Sequence, residues 1–187
     1  MKSNIVVVGL IASLSPYTTW ASNAAPLGLE LGVATYAQVK QQIGVKTSLT
    51  DSGINAYTNG KMLESDGEGL DIDGLSDITF IFDPSDKLAG VLMTLPKQDG
   101  MSDLNNTRFR KTLATLSRKY KLVKKVVPFV GDSYAEFRQG DSLIELEAPH
   151  MSFTMNLIYE TRALQQSFTK KSIEEHRQHD ENQSRKF

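Results

Sequence analysis

Two stretches of the chain carry apolar residues at helical spacing. In the first, the apolar stripe recurs at i, i+3 and i+7 and consists of Tyr36, Val39 and Ile43. Thr35 and Gln38 stand at the spacing of a capping box before this stripe, and Gly44 stands where a helix would end. The second helix is predicted over residues 103–120, with one face formed by Phe109, Leu113, Leu116 and Tyr120.

The remaining body alternates short apolar runs with turn residues, which predicts β-strands. The predicted strands are 27–31, 45–50, 54–58, 61–64, 78–82, 88–95, 122–127, 134–138, 143–146 and 152–159. Asn59 and Gly60 favour a tight type I′ hairpin turn, because both residues tolerate a positive φ. Residues 51–53, 83–86 and 139–141 are predicted as further turns.

These elements predict an α+β fold in which a helix packs on an antiparallel β-sheet. The helix-plus-strands unit is expected twice in a body spanning residues 25–161, in halves of about 25–97 and 101–161. Charged and amide residues dominate from 162 to 187, so this segment is predicted to be a polar tail, either helical or disordered.

The N-terminus has the pattern of a secretory signal. Lys2 precedes a ten-residue apolar run at positions 5–14, and small residues follow. They allow cleavage at two sites, with Ser22 and Ala24 or Thr19 and Ala21 at positions −3 and −1. Cleavage after Ala24 is the preferred prediction, so 1–24 is the expected signal peptide and the mature protein is expected in the periplasm or secreted. The apolar run falls short of the roughly 20 residues that cross a bilayer, so stable membrane insertion is not expected.

The amino-acid composition limits the possible covalent links and partners of the protein. The chain has no cysteine, which excludes a disulfide and a lipid-attachment cysteine. Lys and Arg number 21 against 22 Asp and Glu, and loss of Lys2 with the signal changes the net charge from −1 to −2. Nucleic acid is therefore not an expected partner, because binding phosphates requires a concentrated basic surface.

A family resemblance lies in the first half of the chain. The segment LELGVATYAQVKQQIG, residues 29–44, places Gly32, Val39 and Gly44 in an L-x-x-G-x₆-V-x₄-G spacing before a set of hairpins. It resembles the opening of beta-lactamase-inhibitor-protein-like domains, a plan shared with small outer-membrane-assembly lipoproteins, and DGLSDITFIFDPSDKL at 73–88 is similar to their central hairpin. The resemblance implies a helix on an antiparallel sheet and a role in binding proteins without catalysis. The acylated cysteine of the lipoproteins is missing, and no contact residue can be transferred.

Three short motifs suggest chemistry but lack the necessary context. Residues 140–143 spell GDSL, yet they lie in a predicted hairpin turn and not after a buried strand, as an esterase serine would. The acidic loop 64–75 begins like a calcium loop but has Leu75 where a bidentate glutamate is required. For His150 the chain has no cysteine to serve as a nucleophile and no paired carboxylates nearby in sequence, and His176 and His179 supply only two nitrogens for zinc. The sequence therefore predicts no enzyme, metal site or cofactor.

The leading hypothesis is an exported binding protein of the bacterial cell envelope that engages an envelope or extracellular protein through its sheet face or loops. The loop residues expected to contact this partner are Tyr57, Asn59, Asp66, Glu68, Asp71 and Asp73. The alternative is a binding protein for a small ligand or an anionic envelope polymer, the latter at a basic patch of Arg118, Lys119, Lys121, Lys124 and Lys125. A hydrolase is third. A convex face with exposed aromatics would favour a protein partner, whereas a concave apolar pocket would favour a small ligand.

Overall fold

A computed structural model describes residues 22–97 and 106–185. The predicted signal segment lies outside the described residues up to position 21, as does most of the predicted linker after Lys97. No helix within the described ranges is long and apolar enough to cross a membrane.

The described chain forms one eight-stranded antiparallel sheet and three α-helices, which confirms the α+β class. The helices are α1 (Tyr36–Ile43), α2 (Thr107–Lys119) and α3 (Arg162–Ser184). The strands are β1 (Thr50–Ile54), β2 (Lys61–Ser65), β3 (Asp77–Phe82), β4 (Leu88–Pro96), β5 (Lys121–Val126), β6 (Ser133–Gln139), β7 (Ser142–Ala148) and β8 (Thr154–Thr161). Their order across the sheet is β1-β2-β3-β4-β8-β7-β6-β5, so β4 and β8 meet in the middle, and one helix precedes each set of four strands.

One face of the sheet carries the main hydrophobic core. Phe80, Val91 and Tyr159 lie side by side on β3, β4 and β8 and are buried. Apolar side chains of α1 and α2 join the same cluster, including Val39 and Phe109, both completely buried. The helical stripes predicted from the sequence therefore face the sheet.

The helix α3 lies against the opposite face. Thr161 caps its first turn by accepting a hydrogen bond from the Leu164 N–H at 3.3 Å. The buried side chain of Leu164 packs over Gly90 of β4, where a Cβ atom would come within 2.7 Å of it. The segment predicted as helical or disordered is thus a helix. Arg177 supports it with ion pairs to Glu174 and Glu181, one turn away on either side.

The N-terminal strand predicted for residues 27–31 is wrong. Residues Pro26–Gly28 form a short 3₁₀ turn, and the Leu29 and Leu31 N–H groups donate to the carbonyl oxygens of Pro26 and Ala24. Both leucines are nevertheless buried, so their alternation reflects burial without a strand.

The first hairpin also differs from its prediction. Residues 51–53, predicted as a turn, lie inside β1 at a β-bulge, while the predicted strands 45–50 and 54–58 are mostly loop. The connection to β2 runs over six residues, in which the Asn55 side chain accepts hydrogen bonds from the Tyr57 and Thr58 N–H groups. Only Asn59 of the predicted type I′ pair has a positive φ, at 58°. The remaining predicted strands occur with shifts of one or two residues at their ends.

Candidate binding groove

A groove of about 510 Å³ opens between the start of α3 and the sheet face that α3 only partly covers. Its walls are mainly apolar and are formed by Met62, Ile81, Leu92, Ile158, Leu164 and Phe168. They come from β2, β3, β4, β8 and α3, and their alternation with core residues along each strand places them on this second face.

The loop between β1 and β2 closes one side of the groove. Its Tyr57 ring packs on the Phe168 ring of α3, with 5.0 Å between the centroids. Lys171, one turn further along α3, donates to the Ala56 carbonyl at 3.3 Å and lies 5.2 Å from the centre of the Tyr57 ring. The loop and the helix thus hold each other in place, and both present an aromatic ring to the groove.

Carboxylates form the opposite wall. Glu145 and Glu147 project from β7 and Glu160 from β8, all beside the apolar lining. The Tyr134 hydroxyl donates to Glu145 at 2.5 Å. Within the described part of the chain, the carboxylates of Glu147 and Glu160 have no hydrogen-bond or ion-pair partner. The groove therefore presents two carboxyl groups that no described side chain contacts by a hydrogen bond or ion pair.

The cation that acts on Glu160 is itself paired with another carboxylate. Arg138 of β6 forms an ion pair with Glu136 at 3.0 Å. Glu136 faces Glu145 across the β6–β7 ladder, so Arg138 offsets one member of an acidic row that continues into the groove.

Burial and nearby charges raise the pKa values of Glu160, Glu147 and Tyr134. Burial raises the pKa of Glu160 to about 7, with a further rise from the Glu145 charge that Arg138 opposes. Burial, and then the Glu145 charge, also raises the pKa of Glu147. The pKa of Tyr134 is raised by burial and by its hydrogen bond to Glu145, which keeps this hydroxyl a donor near neutral pH.

Such an arrangement suits an apolar ligand with a positive charge. The apolar walls favour removal of hydrocarbon from water, while the carboxylates favour a cation at one end. The described groove residues include no serine, cysteine or histidine, and their polar side chains are those of glutamate, tyrosine, threonine and asparagine. Among the described residues, no group of three histidine, cysteine or acidic side chains is arranged to hold a metal ion.

The structure separates the six loop residues predicted to bind a partner. Tyr57 lines the groove, and Asn59 lies exposed in the same loop. The other four, Asp66, Glu68, Asp71 and Asp73, lie exposed between β2 and β3 and do not line the groove. Asp73 is within 4 Å of Arg108 and Lys111 of α2, so it fastens this loop to the helix.

The predicted basic patch follows the edge of the sheet. Arg118 and Lys119 lie in the last turn of α2, where cations offset the helix dipole. Lys121, Lys124 and Lys125 belong to β5, an exposed edge strand with a bulge between Leu122 and Lys124. Lysines and bulges on an edge strand prevent pairing with another chain, which accounts for these residues without a polymer ligand.

The motifs set aside in the sequence have structural roles or exposed positions. Ser142 of the GDSL string is completely buried at the start of β7, directly after the hairpin turn. His150 is exposed between β7 and β8, and its backbone N–H donates to the Asp132 side chain at 2.6 Å. His176 and His179 are exposed on α3.

Sequence reasoning missed the three groove carboxylates. For Glu145 and Glu147 the signal was present in SLIELEA, where the two glutamates alternate with buried apolar residues and therefore share one face of β7. Nothing local indicated that α3 would partly cover this face, because that contact joins residues far apart in the sequence.

Comparison with protein-family models, with curated proteins and with solved structures found no match to this chain. The resemblance to beta-lactamase-inhibitor-protein-like domains therefore stays a prediction from the residues. Any assignment of function depends on the groove and the surface of this protein.

Proposed function

We propose that this chain is an exported, non-catalytic binding protein of the bacterial cell envelope whose groove takes a small apolar molecule carrying a positive charge. The observation that carries the proposal is an apolar groove walled on one side by carboxyl groups, of which Glu147 and Glu160 form no hydrogen bond or ion pair among the described residues. The sequence raised two binding hypotheses, a protein partner and a small ligand. The concave apolar groove favours the small ligand.

The size of the groove supports a small molecule. Pockets for small molecules commonly enclose about 300–1,000 Å³ and combine apolar walls with a few polar groups that orient the ligand. The groove volume of about 510 Å³ lies within this range. A hydrocarbon portion would lie against Ile81, Leu92 and Ile158, while an ammonium group would approach Glu145 and Glu160.

The charge of the ligand follows from the electrostatics. Glu160 is difficult to ionise because it is partly buried beside Glu145 and Glu147. A bound cation would stabilise the ionised form of Glu160, so ligand binding and deprotonation would favour each other. An anionic ligand would have the opposite effect, because its charge would repel the groove carboxylates and disfavour ionisation of Glu160.

Titration with three six-carbon probes tests this proposal. Hexyltrimethylammonium, hexyl sulfate and 1-hexanol share the apolar chain and differ in charge, so calorimetry ranks the contribution of charge directly. We expect the cation to bind most tightly, and more tightly at about pH 8 than at about pH 6 because Glu160 must ionise. Preference for hexyl sulfate, or equal binding of all three, would contradict the proposal.

Two variants locate the bound probe. Glu160→Gln keeps the size of the side chain and removes its charge, and we expect it to weaken cation binding by about tenfold, or about 1.4 kcal/mol. Glu68→Gln is the matched control, because Glu68 is exposed in the β2–β3 loop away from the groove. Equal losses in both variants would indicate general attraction to an acidic protein and would contradict binding in the groove.

A second candidate function, docking to another protein, has support from the opposite kind of surface. The β5–β6 and β7–β8 loops lie at the same end of the sheet and expose the apolar side chains of Phe129, Val130, Met151 and Phe153. Phe129 is 79% exposed and Phe153 is 64% exposed, which is unusual for phenylalanine. Crosslinking in intact producing cells tests this candidate: capture of one envelope protein that is lost on Phe129→Ser and Phe153→Ser would support it. Capture unchanged by these substitutions would contradict it.

A further inference from the structure

Residues 22–24, which the preferred cleavage site would remove, are an integral part of the fold. Ala24 is completely buried, and its N–H donates to the Ser142 Oγ at 3.1 Å. Ser142 is itself completely buried, so this hydrogen bond is shielded from water. The contact joins the start of the described chain to a strand 118 residues later.

Both polar atoms of the Asn23 side-chain amide form hydrogen bonds in the same region. Its Nδ2 donates to the Leu31 carbonyl at 3.0 Å, and its Oδ1 accepts from the Asp141 N–H at 2.8 Å. Its backbone N–H donates to the Glu30 carboxylate at 2.9 Å. Asn23 therefore connects the segment before α1 with the β6–β7 hairpin through the donor and the acceptor of one side-chain amide.

Ser22 marks the outer limit of this packed segment. Its carbonyl oxygen accepts a hydrogen bond from the Gln139 side chain at 2.9 Å, but its side chain is exposed. A cut before Ser22 would therefore keep the hydrogen bonds of Asn23 and Ala24, whereas a cut after Ala24 would remove them.

We propose that the signal peptidase cuts between Ala21 and Ser22, so that the mature protein begins at Ser22; this inference rests on the proposed export. Thr19 and Ala21 supply the small residues at −3 and −1. Cleavage after Ala24 would instead remove the donor to buried Ser142 and all contacts of Asn23. It would also create a charged amine at Ala25, next to buried Pro26.

The test is the N-terminus of the processed protein. The full-length precursor is produced in a Gram-negative host, and the product is identified by intact mass and by sequencing its N-terminal peptide after denaturation. We expect Ser22 as the first residue. Ala25 as the first residue would overturn this inference while leaving export intact, and an unprocessed chain would overturn both. A product that begins at Ser22 but binds no cationic probe would contradict only the proposed ligand.

A pair of neighbouring substitutions separates the two sites. Ala21→Leu places a large residue at −1 of the proposed site, whereas Ser22→Leu places one at −3 of the alternative site. We expect Ala21→Leu to abolish the product that begins at Ser22, and Ser22→Leu to be processed normally, with Leu as its first residue. The reverse pattern would overturn the inference. Because mass spectrometry reads denatured chains, the result does not depend on whether either variant folds.

Discussion

The Glu160 carboxyl provides a direct test of the electrostatics of the groove. Its pKa is raised from an ordinary 4.5 to about 7, first by burial and then by Glu145, with a smaller rise from Glu147 and an opposing effect of Arg138. The residues of α3 and β4 that line the groove beside Glu160 are apolar or glycine and carry no charge. Protonation of this carboxyl therefore stabilises the folded state.

The sign of the pH dependence follows from linkage. Below about pH 4.5 the carboxyl is protonated in both the folded and unfolded states, and the stabilisation is fully present. As the pH rises through about 7, the unfolded chain has already ionised and the folded chain must ionise at a cost, so the stabilisation is lost. Glu147 contributes in the same direction, because its pKa is also raised.

The magnitude can be bounded from the same values. At 1.36 kcal/mol for each pH unit, a rise from 4.5 to about 7 corresponds to about 3 kcal/mol. Glu160 is partly exposed to solvent, which screens its charge, so we expect roughly half of this, about 1.5 kcal/mol. For a domain of this size, that free energy corresponds to a change in Tm of about 3–6 °C.

Thermal unfolding of Glu160→Gln measures the effect. We expect the variant to match the wild type at about pH 4 and to exceed its Tm by about 3–6 °C at about pH 8. Glu68→Gln controls for the loss of one negative charge from the whole protein. A Tm difference between Glu160→Gln and the wild type that is equal at both pH values, or a lower Tm of the variant at pH 8, would refute the reasoning.

Three further predictions concern a close backbone contact, the cap of α1 and the edge of the sheet. Gly60→Ala should destabilise the protein by about 1–3 kcal/mol in urea unfolding, because a Cβ atom would collide with the Phe82 carbonyl oxygen; an unchanged midpoint would contradict this close approach. Thr35→Ala should cost about 1 kcal/mol in the same assay through loss of the α1 cap, whereas Thr35→Ser should retain most of the stability. Replacing Lys124 and Lys125 together by valine should increase self-association in light scattering with little change in Tm, and a variant whose light scattering matches that of the wild type would argue against edge protection.

Local signals in the sequence predicted α1 and α2, whereas the segment of α3 was left open between helix and disorder. Around α1, the Thr35 side chain accepts the Gln38 N–H at 3.3 Å, and the Gln38 side chain accepts the Thr35 N–H at 2.8 Å. Such a capping box forms between residues three apart and needs no tertiary partner, so its spacing alone was sufficient. The central strands β3 and β4 were equally accessible, because their apolar alternation follows directly from burial on one face.

Tertiary context decided the elements that were predicted wrongly. The edge strand β1 is polar and mostly exposed, so it has no hydrophobic pattern, and its bulge at Gly53 has the composition of a turn. Leu29 and Leu31 alternate like a strand, but their N–H groups bond to nearby carbonyls of the same segment. The groove was hidden for a related reason, since it exists only where β7, β8 and α3 come together.

The two edges of the sheet constrain how this protein can recognise anything. Strand addition requires a free, regular edge, yet β1 and β5 each contain a register shift, at Asp51/Gly53 and at Leu122/Lys124, and β5 also presents lysines. The core face is covered by α1 and α2. Recognition is therefore left to the second face and the loops.

On the second face of the sheet, Gly90 lets Leu164 approach the sheet and fixes the start of α3, so the width of the groove depends on this contact. The same arrangement that anchors α3 thus leaves uncovered the acidic, apolar surface to which we assign ligand binding.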